Sequence, residues 1–255
     1  MASEGMHSGR SAIVTGAARG IGKAIAQELA REGANLMLAD LDAEALDATA
    51  RELAAGHGVQ VEQHVADMSG QEANEAMVAA TLAAFGRLDI LVNNAGGGVI
   101  RPFLEHTPQT LRTTIDRNLW TVLWACRAAL PAMLEAGYGR VVSIGADSVR
   151  NGLWQHAAYN GAKGGVHGLT TGLAREFAAQ DLTFNVVAPC AVRTEQVDAL
   201  MQQYPQMFEQ FIGVIPKGRP GEMGEVASMV SYLASPAASF VTGQTISVNG
   251  GSTML

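Results

Sequence analysis

Short apolar runs alternate with longer stretches of helical spacing along most of the chain, and this alternation limits the fold more than any other feature. Ser11–Thr15 reads as a strand and leads into Gly20–Arg31, where Ile21, Ala24, Ile25 and Leu29 recur at helical spacing. Further strands are expected at 35–39, 59–65, 88–93, 140–145, 183–188 and 245–248. Helices are expected at about 43–55, 72–85, 108–116, 118–136 and 157–179, with Pro131 kinking the fourth of these. Continuous apolar strands separated by helices call for a parallel sheet covered on both faces. Right-handed crossovers then make it doubly wound. The expected class is therefore α/β, a seven-stranded parallel sheet with helices on both sides. No proline- or serine-rich linker and no internal repeat divides the chain, so one domain is expected over 1–255, with 1–10 irregular.

Composition narrows the partners. Of 255 residues, 48% are apolar, enough for a sizeable core and too many for a disordered chain. Lys plus Arg is 17 against 24 Asp plus Glu, a net charge of −7 that disfavours nucleic acid and anionic membrane. No apolar run has the length of a membrane span, and residues 1–10 lack the apolar stretch of a secretory signal. Cys126 and Cys190 form neither a disulfide framework nor a spaced metal site. The six histidines lack metal-ligand spacing, so no metal is expected and packed or solvated roles are. A cytoplasmic protein acting on a small molecule is the expectation.

The turn between the first strand and the first helix carries the first chemistry. It reads Thr15-Gly16-Ala17-Ala18-Arg19-Gly20-Ile21-Gly22, a GxxxGxG spacing. Glycines permit a tight turn and close backbone approach, and the following helix presents free N–H groups to a pyrophosphate. Asp40 ends the second strand, where a carboxylate accepts from an adenosine ribose and repels a 2′-phosphate. Arg19 is the counter-signal, a cation able to hold that phosphate. No basic residue follows Asp40, since Leu41 and Asp42 come next, so NAD is favoured over NADP.

With this turn, Asn93-Asn94-Ala95-Gly96, Asn118 and Tyr159-Asn160-Gly161-Ala162-Lys163 follow in order. Together they resemble the short-chain dehydrogenase/reductase family from about residue 11 to 254. The resemblance implies a Rossmann-type domain, a nicotinamide cofactor and a homotetramer. It implies cofactor contacts from Gly16, Arg19, Gly20, Ile21, Gly22, Asp40, Leu41, Asp67, Met68, Asn94, Ala95, Gly96, Pro189, Val192 and Thr194, and from Tyr159 and Lys163. The alanine-rich helices at 118–136 and 157–179 suit the close contacts of a subunit interface.

Tyr159 and Lys163 stand four apart and share a helix face. A phenol near its ordinary pKa of about 10 is a weak base at neutral pH, and a nearby ammonium favours the phenolate. Tyr159 then takes a hydroxyl proton as hydride leaves carbon, or returns it in reverse. By the resemblance, Lys163 also bonds the nicotinamide ribose and Asn118 holds a water linking the lysine to solvent. One departure stands out. The family places a serine thirteen residues before the tyrosine, where this chain has Ala146. Alanine cannot bond a substrate oxygen. Ser148, Asp147 or a group of the substrate is expected to supply that contact, Ser143 lying just upstream. A second departure is Pro189-Cys190, where the family reads Pro-Gly; Cys190 is read as a packed thiol.

Substrate signals lie nearby. The segment 194–218, with Met201, Tyr204, Met207, Phe208 and Phe211, corresponds to the flap over the family's substrate site, though such a stripe also suits a packed amphipathic helix. The stretch 145–156 is expected to line the site, with Trp154 as an apolar wall. Arg101, Arg150 and Arg193 fall on loops at the carboxyl ends of strands, and together favour an acidic substrate. The stretch around 145–175 is similar to the cis-dihydrodiol dehydrogenases of aromatic-acid degradation, of the dihydroxy-dihydro-p-cumate and dihydroxycyclohexadiene-carboxylate type. That likeness implies oxidation of a ring cis-diol to a catechol with NAD. Enolisation to an aromatic ring pulls such a reaction forward, which eases the loss of the serine. Two alternatives stay open: a relative acting on a 3-oxoacyl thioester or cyclic alcohol, and a silent NAD-binding protein without turnover.

Overall fold

The computed structural model describes residues 5–254; the side chains of Gln196, Leu200, Pro205, Met207 and Phe208 lie outside that description. Seven parallel strands form one sheet: β1 Ser11–Thr15, β2 Asn35–Asp40, β3 Val61–Val65, β4 Ile90–Asn93, β5 Gly139–Ile144, β6 Leu182–Pro189 and β7 Thr245–Val248. Their spatial order is β3-β2-β1-β4-β5-β6-β7. The chain winds outward from β1 in one direction, then returns to place β4 on its other side, with Ile13 opposite both Met37 and Leu91. That reversal opens a crevice above the carboxyl ends of β1 and β4.

The α-helices are α1 Gly20–Arg31, α2 Ala43–His57, α3 Gln71–Phe85, α4 Pro108–Ile115, α5 Thr121–Ala136, α6 Ser148–Asn151, α7 Ala157–Glu176, α8 Glu195–Gln203, α9 Pro205–Gly213 and α10 Met223–Ala234. Strand alternation sorts the core into two layers. Ala12, Val14, Leu36 and Leu38 face α1, α2 and α10, meeting Ile25, Leu29, Leu46 and Val230. Ile13, Met37, Leu91 and Phe184 face α3, α5 and α7, meeting Met77, Ala125, Met133 and Val166. Among the described residues no helix is long and apolar enough to cross a membrane.

Several boundaries differ from expectation. The third and fourth strands each start two residues later, at Val61 and Ile90. Just before β4, Asp89 already bonds its main chain to Ser11 O and to the Arg140 N–H, while its carboxylate accepts from Arg10, Arg87 and the Ser11 N–H. The helix expected from residue 118 is instead a π-helical turn, Asp116–Trp120, running into α5, which continues through Pro131. Helix α10 has no counterpart among the sequence expectations, yet it packs extensively on α1 and also on β5, β6 and β7. Residues 5–10 form a turn rather than a tail: His7 is fully buried, and its Nε2 lies 3.0 Å from Ser231 Oγ.

Candidate active site

The glycine turn meets the physical requirements for a pyrophosphate. Gly16 has φ +65°, and a Cβ on Gly22 would lie 2.0 Å from Gly16 O, so neither position admits another residue without moving the backbone. Helix α1 has no side-chain N-cap bond and no acidic residue in its first turn. Its N–H groups therefore stay available to an anion. In front of it lies a cleft of about 1120 Å³, lined by Gly16, Arg19, Gly20, Ile21, Gly22, Asp40, Leu41, Asp67, Met68, Asn94, Ala95, Gly96 and Thr194. Glycine backbone, an uncapped helix end and a far carboxylate in one cleft fit a dinucleotide. Pro189 and Val192 are not in this lining; both are buried, and Val192 bridges to Gly221 beside the cleft.

Asp40 is locked at the far end. Its Oδ2 accepts from the Ala18 N–H at 3.0 Å and its Oδ1 from the Asp42 N–H at 3.1 Å. Asp42 caps α2 by accepting from the Ala45 N–H and forms an ion pair with Arg19. The cation in the turn is thus partnered by a carboxylate of this chain. Asn94 ties the two halves of the crevice together, its Nδ2 donating to Thr15 O at 3.0 Å and Gly16 O at 2.9 Å.

Tyr159, Lys163 and Asn118 converge near the loop after β4. Lys163 is buried at 3% exposure and donates to Ile144 O at 2.8 Å; its Nζ is 5.9 Å from the centre of the Tyr159 ring. Asn118, wholly buried in the π turn, accepts from the Gly97 N–H and donates to Gly97 O, both at 3.1 Å, and to Thr114 O at 2.8 Å. A break in α-helical pairing turns this side chain toward the loop. Burial governs the proton affinities: the Tyr159 phenol is pushed up to about 12, and Lys163 is pushed down to about 8. Desolvation disfavours both charged forms, so in the protein alone it outweighs the help the ammonium was expected to give.

The groups expected to stand in for a serine do other work. Ala146 is buried. Ser148 Oγ donates to Asn160 Oδ1 at 2.6 Å and so joins α6 to α7. Asp147, 1% exposed, accepts from Asn249, Ser252 and Thr253 at 2.9, 2.7 and 3.0 Å, and from Asn151 at 3.3 Å. It is the anchor of the chain after β7. Ser143 lies inside β5, where its Oγ accepts from Asn93.

The arginines have partners within the chain. Arg150 is turned to β7, donating to Ser247 Oγ at 3.0 Å and Thr245 O at 3.1 Å. Arg101 reaches the Glu105 carbonyl. Arg193 is exposed, with Asp198 at 3.2 Å and Glu222 at 4.0 Å. Trp154 is 59% exposed on the loop before α7. The flap expected at 194–218 folds as α8 and α9, with Met201 and Phe211 half-buried and Tyr204 exposed. Met207 and Phe208 have side chains outside the description. His156 closes the stretch expected to line the site but was read, like the other histidines, as packed or solvated; its ring meets Tyr159 edge-on at 5.8 Å and Phe211 at 6.0 Å. Its place three residues before the tyrosine was the available signal. Cys190 is half-buried, and its thiol is held up by burial, as a packed thiol should be.

Comparison with known proteins agrees with this geometry. A family profile described as enoyl-(acyl carrier protein) reductase matches residues 16–253. The chain is 58% identical to a 2,3-dihydroxy-2,3-dihydro-p-cumate dehydrogenase of Pseudomonas putida, over 97% of this chain and 95% of that one. It is 35% identical to a 1,6-dihydroxycyclohexa-2,4-diene-1-carboxylate dehydrogenase of the same species, over 95% and 92%. Among solved structures, levodione reductase superposes with a TM-score of 0.90 at 33% identity, covering 96% of this chain and 97% of that one. The glycine turn above a Rossmann-type sheet, the Tyr159–Lys163 pair and these matches lead to one conclusion: the chain belongs to the short-chain dehydrogenase/reductase family and is a nicotinamide-dependent oxidoreductase.

Proposed function

We propose that this enzyme oxidises a cis-diol on a carboxylated cyclohexadiene ring to a catechol, with NAD as hydride acceptor. The observation that carries the reading is the 58% identity, over nearly the whole chain, to a dehydrogenase of that substrate type, together with an intact Tyr159–Lys163 pair. The presence of both residues also speaks against a silent binder, which has no use for a buried lysine beside a half-buried phenol.

A nicotinamide cofactor would supply the hydride acceptor, and Gly16–Gly22, Asp40, Asn94–Gly96 and Thr194 would hold it. Asp40 favours an unphosphorylated ribose, and Arg19, the cation of the turn, is paired with Asp42. Tyr159 removes the proton of one substrate hydroxyl as its carbon gives up hydride. Lys163 steadies the phenolate and would hold the nicotinamide ribose. Asn118 holds the β4 loop. The ketone formed has an enol that is aromatic, so it collapses to the catechol. That driving force is what lets Ala146 replace a serine.

Trp154 walls the ring and Arg193 is the arginine best placed for a carboxylate, since its present partners are exposed and exchangeable. Helices α8 and α9 form the flap, and one domain carries both cofactor and substrate groups. An apolar groove of about 380 Å³ between α5 and α7, with Trp120 stacked on Trp124 at 5.3 Å beside Leu130, Leu169 and Phe177, supports a homotetramer. Two unpaired cysteines suit a cytoplasmic setting.

The test is NADH formation from the cis-dihydrodiols of p-cumate and benzoate, beside 3-hydroxyacyl thioesters and cyclic alcohols, each with NAD and NADP. Turnover of a carboxylated dihydrodiol with NAD is expected. Turnover confined to thioesters or simple alcohols would overturn the reading.

A further inference from the structure

We propose that His156 is a substrate-positioning residue: its Nε2 accepts a hydrogen bond from the second hydroxyl of the diol, the one that Tyr159 does not deprotonate. The inference rests on the diol reading above and adds to it the group that distinguishes a diol from a mono-alcohol.

Three observations converge on this ring. It stands against the reacting centre, edge-on to Tyr159 at 5.8 Å between ring centres with planes 80° apart, and against Phe211 of α9 at 6.0 Å and 73°. It therefore lies between the base and the flap, where a bound ring must pass. Its protonation pattern is fixed by geometry. Nδ1 is 2.6 Å from Trp154 O, and a carbonyl only accepts, so Nδ1 carries the hydrogen. In the neutral imidazole Nε2 is then an acceptor, and it makes no hydrogen bond among the described residues. An acceptor suits a hydroxyl that keeps its proton. Finally, the ring is held in place at a cost. Gln155 has φ +62°, the one left-handed non-glycine among the described residues. Such strain persists where surroundings over-determine the backbone, and it collects at ligand-binding positions. Here it turns the chain so that the Trp154 carbonyl faces the imidazole of the residue two places on.

The same geometry accounts for Ala146. With Ser148 bonded to Asn160 and Asp147 bonded to the segment after β7, neither nearby polar side chain is open to substrate. The orienting contact passes from the loop after β5 to the first residue before α7. A diol offers two handles, and Tyr159 and His156 take one each.

The experiment measures binding to the NADH-loaded enzyme of the product catechol, 2,3-dihydroxy-p-cumate, and of its two monohydroxy counterparts. The reverse reaction must break aromaticity, so these complexes do not turn over. The wild type should bind the catechol more tightly than either phenol by about ten-fold, the worth of one hydrogen bond. His156→Phe keeps the ring contacts and removes Nε2; it should erase the preference over one phenol and leave the preference over the other. His156→Leu repeats the removal without a ring, and His156→Gln, with an amide oxygen, should restore part of the lost preference. Equal weakening of all three ligands in His156→Phe and His156→Leu would overturn the proposal, as would an unchanged preference over both phenols. Failure of the diol reading has a separate sign: the wild type would then give no NADH from any dihydrodiol and would not bind the catechol.

Discussion

Lys163 presents a conflict between stability and chemistry that can be measured. Burial moves its pKa from an ordinary 10.5 down to about 8, so at neutral pH the fold carries an ammonium it would rather not hold. At about 1.4 kcal/mol per pH unit, the charge costs about 3 kcal/mol relative to the unfolded chain. Lys163→Met fills similar volume without charge and gives up the bond to Ile144 O, a loss of about 1 kcal/mol. The net gain is about 2 kcal/mol, or about 4–8 °C in Tm for a chain of this size. The pH dependence has a definite sign. A depressed lysine destabilises the fold while protonated, below about 8, and the penalty fades as pH rises toward 10.5. Calorimetry of the cofactor-free proteins should therefore find the variant ahead near neutral pH and level or behind above 10.5, while NADH formation is abolished. A variant less stable than wild type at neutral pH, by an amount that does not change with pH, would refute the reasoning.

Other consequences can be checked with single changes. Gly98→Ala places a Cβ 2.7 Å from Tyr159 Cδ2, so the phenol must shift; turnover should fall by about a hundred-fold with Tm nearly unchanged, as read by steady-state kinetics and melting. Asp147→Ala strands the donors of Asn249, Ser252 and Thr253, and should cost about 3 kcal/mol in a denaturant titration, far more than an exposed aspartate would. Asp40→Ala should narrow the gap between NADH and NADPH dissociation constants by about ten-fold, measured by fluorescence titration; an unchanged ratio would remove Asp40 as the selector.

Much of this architecture was legible in the sequence, and the misses have physical causes. The strands at Ser11–Thr15 and Thr245–Val248 and the glycine turn read directly, because apolar runs bounded by glycine have few other uses. Helix α10 went unread although Glu222 and Glu225 form a capping box and Val226, Val230 and Leu233 recur at helical spacing. Side-chain direction was the harder problem. Arg150 sits on the ligand side of the sheet by sequence position, yet its guanidinium turns sideways to β7, a strand about a hundred residues away in sequence. Ser148 is close to Ala146 along the chain, but one helical turn points its hydroxyl at Asn160. Position on a loop is local information, whereas the direction of a side chain depends on what packs around it. His156 fell within the stretch expected to line the site but its role went unread for the same reason: nothing local tells a histidine at a helix start that Phe211 will close against it.

The bonds around Asp147 have an evolutionary consequence. They fix the main chain after position 146 from behind, through the residues following β7 and through the Asp147 N–H to Pro189 O at 3.0 Å, while the Gly145 N–H, bonded to Val187 O at 2.8 Å, fixes it before. The path of the backbone there does not depend on which small side chain position 146 carries. Serine and alanine can then interchange during divergence with loss or gain of one contact and no reshaping of the loop.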